Sequence, residues 1–378
     1  MSQYDFSTQT DYLSRTMFLN GQVTVQRFEE VRYPRLEKFE QTARGFFWIP
    51  EEITLVKDKQ DFKESSEAVR HIFTSNLLRQ TALDSIQGRG PAQVFGPVVS
   101  VPEFESLLFN WSFFETNIHS RSYAHIIRNI YGVPKDEFNK IHTIPEIVGM
   151  AANIGVHYDR LHELNCRAQL AEKLDLLDKA LFSTGYSIKP SSEEHIDAIW
   201  MALNASYALE AIRFMVSFAT SLGMVENKLF IGNGNIISLI LQDELLHTEW
   251  TAYIINQCVK DDERFRAAKE RCKDKVYQLY LDVIAEEKAW ADFLFKKGVV
   301  IGLNAQILKD FVDWTAAERL KLINIKYEEK IPKSNPLPWF NKHSNTSIKQ
   351  TALQENESTS YIIGVLDDDL NVNGLPSL

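Results

Sequence analysis

The chain has 378 residues, 44% hydrophobic and 24% charged, an ordinary globular composition with length for a large core or two domains. A net charge of −10 and the lack of any Lys/Arg-rich run argue against nucleic-acid binding. Cys166, Cys258 and Cys272 form no CxxC or zinc spacing and are read as free thiols of a reducing cytoplasm; an N-terminus without a basic and apolar leader, and no run of about 18 apolar residues, give the expectation of a cytoplasmic protein with no membrane role.

From Met1 to about Pro34 the sequence is mixed and predicts irregular or extended backbone. In GFFWIPEE, the aromatic run Phe46, Phe47, Trp48 before Pro50 predicts a helix end packed on the core. Ser65, Ser66 and Glu67 start a long helix carrying Ile72, Phe73, Leu77, Leu78, Leu83 and Ile86, closed by Gly88 and Gly90. Asp84 sits late in it, where the helix dipole disfavours an acid, and calls for a cationic or hydrogen-bonding partner. Pro102 and Glu103 open the next helix, which contains WSFFETNIHSRSY over 111–123 and runs to Gly132. This stretch puts Glu115, His119 and Tyr123 among apolar neighbours, where ionisable groups cost most.

Residues 135–182 predict two or three shorter helices, with Asp159 and His162 on a solvated face, and 183–192 a loop or small hairpin. A long apolar helix over about 194–222 encloses Glu210. After Gly232 and Gly234 comes a further helix, in which Glu244 and His247 follow the apolar run 236–241 at i, i+3 spacing. Helices at about 262–296 and 305–326 read as scaffold. Beyond SNPLPWF the composition turns polar, so the folded domain is placed at 1–342 and a flexible tail at 343–378, with an isolated apolar patch around Tyr361.

Four helices thus carry inward carboxylates: Asp84, Glu115 with His119, Glu210, and Glu244 with His247. One acid from each of two helices and an acid-plus-His pair from each of two others is the ligand set described for ferritin-like di-metal proteins, so this is a match to a stated pattern. Four carboxylates offer a charge of about −4 and cancel two divalent ions; without them, acids crowded in a bundle would repel. Zinc suits such a carboxylate-rich set less well than iron or manganese. A structural reading, in which the helices do not converge and each acid has a local partner, leaves that repulsion unexplained.

The chain resembles the radical-generating small subunit of class I ribonucleotide reductase, in its enterobacterial and phage-type forms. GFFWIPEE, LDSIQGR, HSRSYAHIIRN, ALEAIRF with VSFA, DELLH, EEKAWADFLF, SNPLPWF and STSY carry the resemblance over nearly the whole chain. It implies an all-α, ferritin-like bundle, a homodimer, with two iron ions (manganese being the other choice) held in the core by Asp84, Glu115, His119, Glu210, Glu244 and His247. It further implies a tyrosyl radical at Tyr123, formed with dioxygen as oxidant, and a shielding pocket of Phe214, Phe218 and Ile240. Trp48, Asp243 and Tyr361 would carry the radical to the catalytic large subunit, on which the C-terminal tail would dock, for reduction of ribonucleotides. The alternative is a di-metal oxidase or oxygenase acting on its own substrate; a metal-storage or structural bundle comes third.

Two features depart from the family pattern. Gln242 stands where Arg is usual, and the first Glu/His pair has one additional residue, ETNIH, so that either Glu115 or Thr116 could take the ligand position. The spacing of Trp111, Glu115, His119 and Tyr123 is 4, 4, 4. In an α-helix 11 residues return to within about 20° of the start, whereas 12 overshoot by roughly 120°. A π-bulge near 115–119 would absorb the additional residue and leave Glu115 as ligand.

Overall fold

The computed structural model describes residues 9–177 and 188–343. Among these, backbone hydrogen bonding is helical except for turns and the isolated bridges Phe18↔Val99 and Val300↔Leu303. The α-helices are α1 (Pro34–Gly45), α2 (Val56–Glu64), α3 (Glu67–Gln87), α4 (Gly90–Phe95), α5 (Pro102–Phe113), α6 (Ser120–Ile130), α7 (Pro134–Asn139), α8 (Pro145–Leu177), α9 (Ser192–Ala208), α10 (Met215–Glu226), α11 (Ile231–Asp261), α12 (Glu263–Arg271), α13 (Lys273–Phe295) and α14 (Ala305–Leu322).

Local chemistry sets several of the boundaries. Ser66 caps α3 by accepting the Val69 N–H, Ser191 caps α9 at Glu194, and Asn304 caps α14 at Ile307. The start of α11 is capped from another helix: Asp58 of α2 accepts the backbone N–H groups of Gly232 (3.0 Å) and Asn233 (2.6 Å). An added Cβ on Gly232 would lie 2.3 Å from Thr54 O, so only glycine allows this approach.

Three expectations are corrected. The 135–182 region is mainly one helix, α8, whose Ile147, Met150, Ile154, Tyr158, Leu161 and Leu164 form a continuous buried stripe at helical spacing. Its polar outer face, which includes exposed Asp159 and His162, made it read as fragments. The helix expected over 194–222 is interrupted at Leu209–Arg213 by a π-helical turn. The one expected over 262–296 divides at Cys272 into α12 and α13. Of the expected 183–192 loop, residues up to 187 lie outside the described residues, as does the tail from 344.

The span Ser192–Glu226 is long and apolar enough to cross a membrane by composition, but 94% of its apolar window is buried in the bundle. It is the central core element. Helices α3, α11 and α13 pack against it and bury polar side chains, among them Asp84, Glu244 and Glu287.

Candidate metal centre

Asp84 on α3, Glu115 and His119 in the segment joining α5 to α6, Glu210 in the turn joining α9 to α10, and Glu244 and His247 on α11 are all at most 1% exposed. They form two ligand groups, Asp84/Glu115/His119/Glu244 and Glu115/Glu210/Glu244/His247, within each of which the donor atoms lie within 4.8 Å of one another. Glu115 and Glu244 belong to both groups, so each could serve either of two ions. Glu67 and His71 share the i, i+4 spacing but join no cluster: Glu67 pairs with Lys297, and His71 meets Phe293 O.

Phe114–His119 is π-helical, as the resemblance implied for a pair with one additional residue, and the Ser120 N–H bonds back to Glu115 O. Thr116 points elsewhere, its hydroxyl 3.4 Å from Gly88 O, so Glu115 and not Thr116 enters the cluster. The second π turn, Leu209–Arg213, carries Glu210. Each single-turn π segment thus holds a glutamate of the cluster, in keeping with the tendency of such turns to mark functional sites.

Both imidazoles present Nδ1 to the carboxylates. His119 Nδ1 lies 3.3 Å from Glu115 and 3.2 Å from Glu244; His247 Nδ1 lies 2.9 Å from Glu115 and 3.0 Å from Glu244. Burial opposes protonation of both rings, but Glu115 and Asp243 around His119, and Glu244 and Glu115 around His247, raise them well above the usual imidazole range. Burial, then the Glu115 charge, raises Asp84 and Glu244 well above ordinary carboxylates. Glu115 goes the other way: burial would raise it, but His119 and His247 outweigh that and hold it down at about 2. Taken by themselves, the protein atoms balance this charge with protons that metal ions would displace.

The donor set fits such ions. Both oxygens of Asp84 and Glu210 Oε2 are buried with no hydrogen bond of ordinary geometry. Buried anionic oxygens in that state cost several kcal/mol unless a cation meets them. The polar groups nearest Asp84 are the Tyr123 hydroxyl and His119 Nδ1, the latter 4.0 Å away.

Surrounding residues fix these side chains. Glu210 Oε1 accepts Trp111 Nε1 at 2.9 Å and Gln87 Nε2 at 2.6 Å, and Tyr158 OH donates to Gln87 Oε1 at 2.7 Å. Trp250 stacks on His247 at 4.4 Å. Asp243 Oδ2 lies 3.0 Å from His119 Nε2 and accepts Trp48 Nε1 at 2.9 Å, a continuous Trp48, Asp243, His119 chain. Gln87, Tyr158 and Trp250 escaped the sequence reading; the signal for Gln87 was its place three residues after Asp84, in the same buried helix turn.

Tyr123 is fully buried, and its hydroxyl makes no hydrogen bond of ordinary geometry. Burial, then the charges of Asp84 and Glu244, hold its phenol well above the usual range. Phe214 and Phe218 stack on each other at 5.3 Å and, with Ile240, are wholly buried. Tyr361 lies outside the described residues.

A family model described as "Ribonucleotide reductase, small chain" matches residues 26–336. Ribonucleoside-diphosphate reductase 1 subunit beta of Escherichia coli O157:H7 is 38% identical over 370 residues, covering 97% of this chain and 96% of that protein. The beta subunit of Haemophilus influenzae is 39% identical over 367 residues (96% and 95% covered), and that of Enterobacteria phage T4 33% over 371 (96% and 95%). Among solved structures, the ribonucleotide reductase R2 subunit from Clostridium botulinum superposes with a TM-score of 0.74 at 20% identity, covering 91% of this chain and 98% of that one. Streptococcus sanguinis dimanganese(II)-NrdF gives 0.66 at 18% identity, covering 86% and 99%. The all-α bundle with a buried carboxylate and imidazole cluster, a family model spanning most of the chain, and relatives matched nearly end to end lead to one conclusion: the chain belongs to the ribonucleotide reductase small-chain family.

Proposed function

We propose that this chain is the radical-generating small subunit of a class I ribonucleotide reductase, acting with a separate catalytic large subunit to reduce ribonucleoside diphosphates. The observation that carries this reading is the pair of ligand groups sharing Glu115 and Glu244, with the fully buried Tyr123 beside Asp84. Asp84, Glu115, His119, Glu210, Glu244 and His247 would hold two metal ions, iron or, as in Streptococcus sanguinis dimanganese(II)-NrdF, manganese. With dioxygen as oxidant, such a centre supplies the one-electron oxidation of a nearby phenol.

The chain's own residues do the rest. Tyr123 gives up an electron and its hydroxyl proton, for which Asp84 is the neighbouring base. Its burial, and that of Phe214, Phe218 and Ile240, keeps water and reductants from the oxidised ring. His119, Asp243 and Trp48 form the proton-coupled path outward, and Tyr361 in the 343–378 tail carries it to the large subunit, on which the tail docks. The protein works as a cytoplasmic homodimer. Supporting a second copy, α5 leaves Phe109 63% exposed and Phe113 42% exposed, with Phe47 stacked on Phe113 at 6.3 Å, an uncovered aromatic patch.

The di-metal oxygenase reading has less behind it, since the matched family and relatives are ribonucleotide reductase small chains. The test is electron paramagnetic resonance after adding Fe(II) and dioxygen to the metal-free protein. A stable tyrosyl signal that disappears in Tyr123→Phe supports the reading. A signal that survives the substitution sinks the assignment of Tyr123.

A further inference from the structure

The motif EEKAW on α13 has no part in the site described above, yet it buries charge. Glu287 is fully buried and forms an ion pair with Arg79 of α3, which is 1% exposed. Its neighbour Glu286 pairs with Arg213, the last residue of the π turn that carries Glu210. One turn on, Trp290 lies under the Arg79 guanidinium at 4.6 Å and donates its indole N–H to Ser217 Oγ at 3.2 Å, on α10 between Phe214 and Phe218. Three residues of one helix, at i, i+1 and i+4, therefore hold three elements: α3, the π turn and α10.

Stability is a poor explanation for this arrangement. Arg79 Nε, Arg213 Nε and Glu287 Oε2 are buried with no hydrogen-bond partner, and an ion pair so incompletely satisfied is generally no better than apolar packing of the same volume. What the charges do supply is register. A slip of one residue in a helix turns a side chain by about 100°, and a π turn has no strong backbone preference to prevent it. Arg213 closes the turn three residues after Glu210, while Arg79 sits five residues before Asp84 on α3. Both arginines are tied to adjacent glutamates of α13.

We propose that Glu286, Glu287 and Trp290 are positioning residues for the metal cluster: they lock the Glu210-bearing π turn against the Asp84-bearing helix and so set the separation of the two ligand groups. This rests on the dinuclear reading above. The experiment is a Mn(II) titration of the full chain, read by calorimetry and by the exchange-coupled Mn(II) resonance spectrum, which reports the metal separation.

In the double variant Arg79→Leu/Glu287→Leu the fold is kept by apolar packing, Mn(II) affinity falls about tenfold or more, and the coupled spectrum changes. Glu286→Gln, which alters the less buried edge of the network and leaves the core pair alone, gives a smaller loss in the same direction, and Arg79→Lys keeps most of the wild-type spectrum. Should the double variant fail to fold, Glu286→Gln decides alone. Folded variants whose titration and spectrum superimpose on the wild type overturn the proposal. A wild-type chain that fails to take two Mn(II) ions sinks the dinuclear reading itself, and with it this inference.

Discussion

Gly88 is where the π turn meets α3, and replacing it tests whether that close approach is required. Its backbone is ordinary helix (φ −61°), so Gly88→Ala creates no backbone strain; the difficulty is space. An added Cβ would lie 2.5 Å from Thr116 Oγ1, 3.0 Å from Asp84 O and 3.2 Å from Glu115 Cβ. The first distance is a clash, and two of the three atoms belong to the π turn. Relief comes from moving that turn, which drags Glu115, the carboxylate common to both ligand groups. Overpacking of this kind costs about 1–3 kcal/mol. For a chain of this size the melting temperature should fall by roughly 1–4 °C, and metal affinity by about tenfold or more. Gly149→Ala on α8 is the control: nothing lies within 4 Å of its added Cβ, and a gain of about 0.5–1 kcal/mol is expected there. Thermal melts of chelated protein and Mn(II) titrations measure both effects. Wild-type melting and binding in Gly88→Ala would refute the close approach; destabilisation with undiminished affinity would show that the π turn is not the part that yields.

Two further outcomes follow from the surrounding network. Asp243 Oδ2 serves both Trp48 Nε1 and His119 Nε2, so Asp243→Asn, which keeps one acceptor oxygen, should retain metal binding and the Tyr123 radical. Nucleotide reduction with the large subunit should nevertheless drop about 10–100-fold, and undiminished turnover would remove Asp243 from the path. Glu287 supplies the pH test: burial raises its carboxyl to about 7, against the opposing pull of Arg79 and Arg213. The folded chain then holds this proton more tightly than the unfolded one, so the contribution is fully present below about pH 4.5 and is lost as pH rises through about 7. The loss is at most about 3 kcal/mol. Urea unfolding of metal-loaded protein between pH 5 and 8 should show stability falling with pH, and a flatter profile in Glu287→Gln.

The six cluster residues were legible because acids and imidazoles cost most on apolar helical stripes, so their presence at four such places was itself a signal. The first π turn was legible only against the family pattern: one additional residue between Trp111 and Tyr123 would turn one of them out of the register that the resemblance implies unless the helix absorbed it. Glu210 offered no such departure, being alone among apolar residues, and its π turn left no trace in the pattern. Gln87 and Tyr158 are neutral, and nothing in hydropathy separates a buried amide that orients a carboxylate from one at a helix end. The Arg79 and Glu287 pair joins residues far apart in the chain, and α13 mixes acids and bases as a solvated helix does. Only packing reveals that one of its glutamates is inside.

The two Glu/His pairs reach the same geometry by different spacings. Glu244 and His247 are three residues apart on a regular helix; Glu115 and His119 are four apart across a π turn. On a regular helix the fourth residue points about 100° away from the third. Yet both rings present Nδ1 to the shared carboxylates, and they lie nearly parallel, 5.9 Å apart with 29° between planes. The π turn therefore converts a four-residue spacing into the equivalent of a three-residue one. Deletion of Asn117 should let the segment close as ordinary α-helix, with the same three-residue spacing as α11 and with Trp111 and Tyr123 still in phase. The shortened chain should bind two Mn(II) ions within about tenfold of wild-type affinity. Insertion of an alanine after Asn117 adds a further 100° and should abolish binding at the His119 side. A deletion variant of unchanged helix content that no longer takes metal would show that the additional residue does more than preserve register.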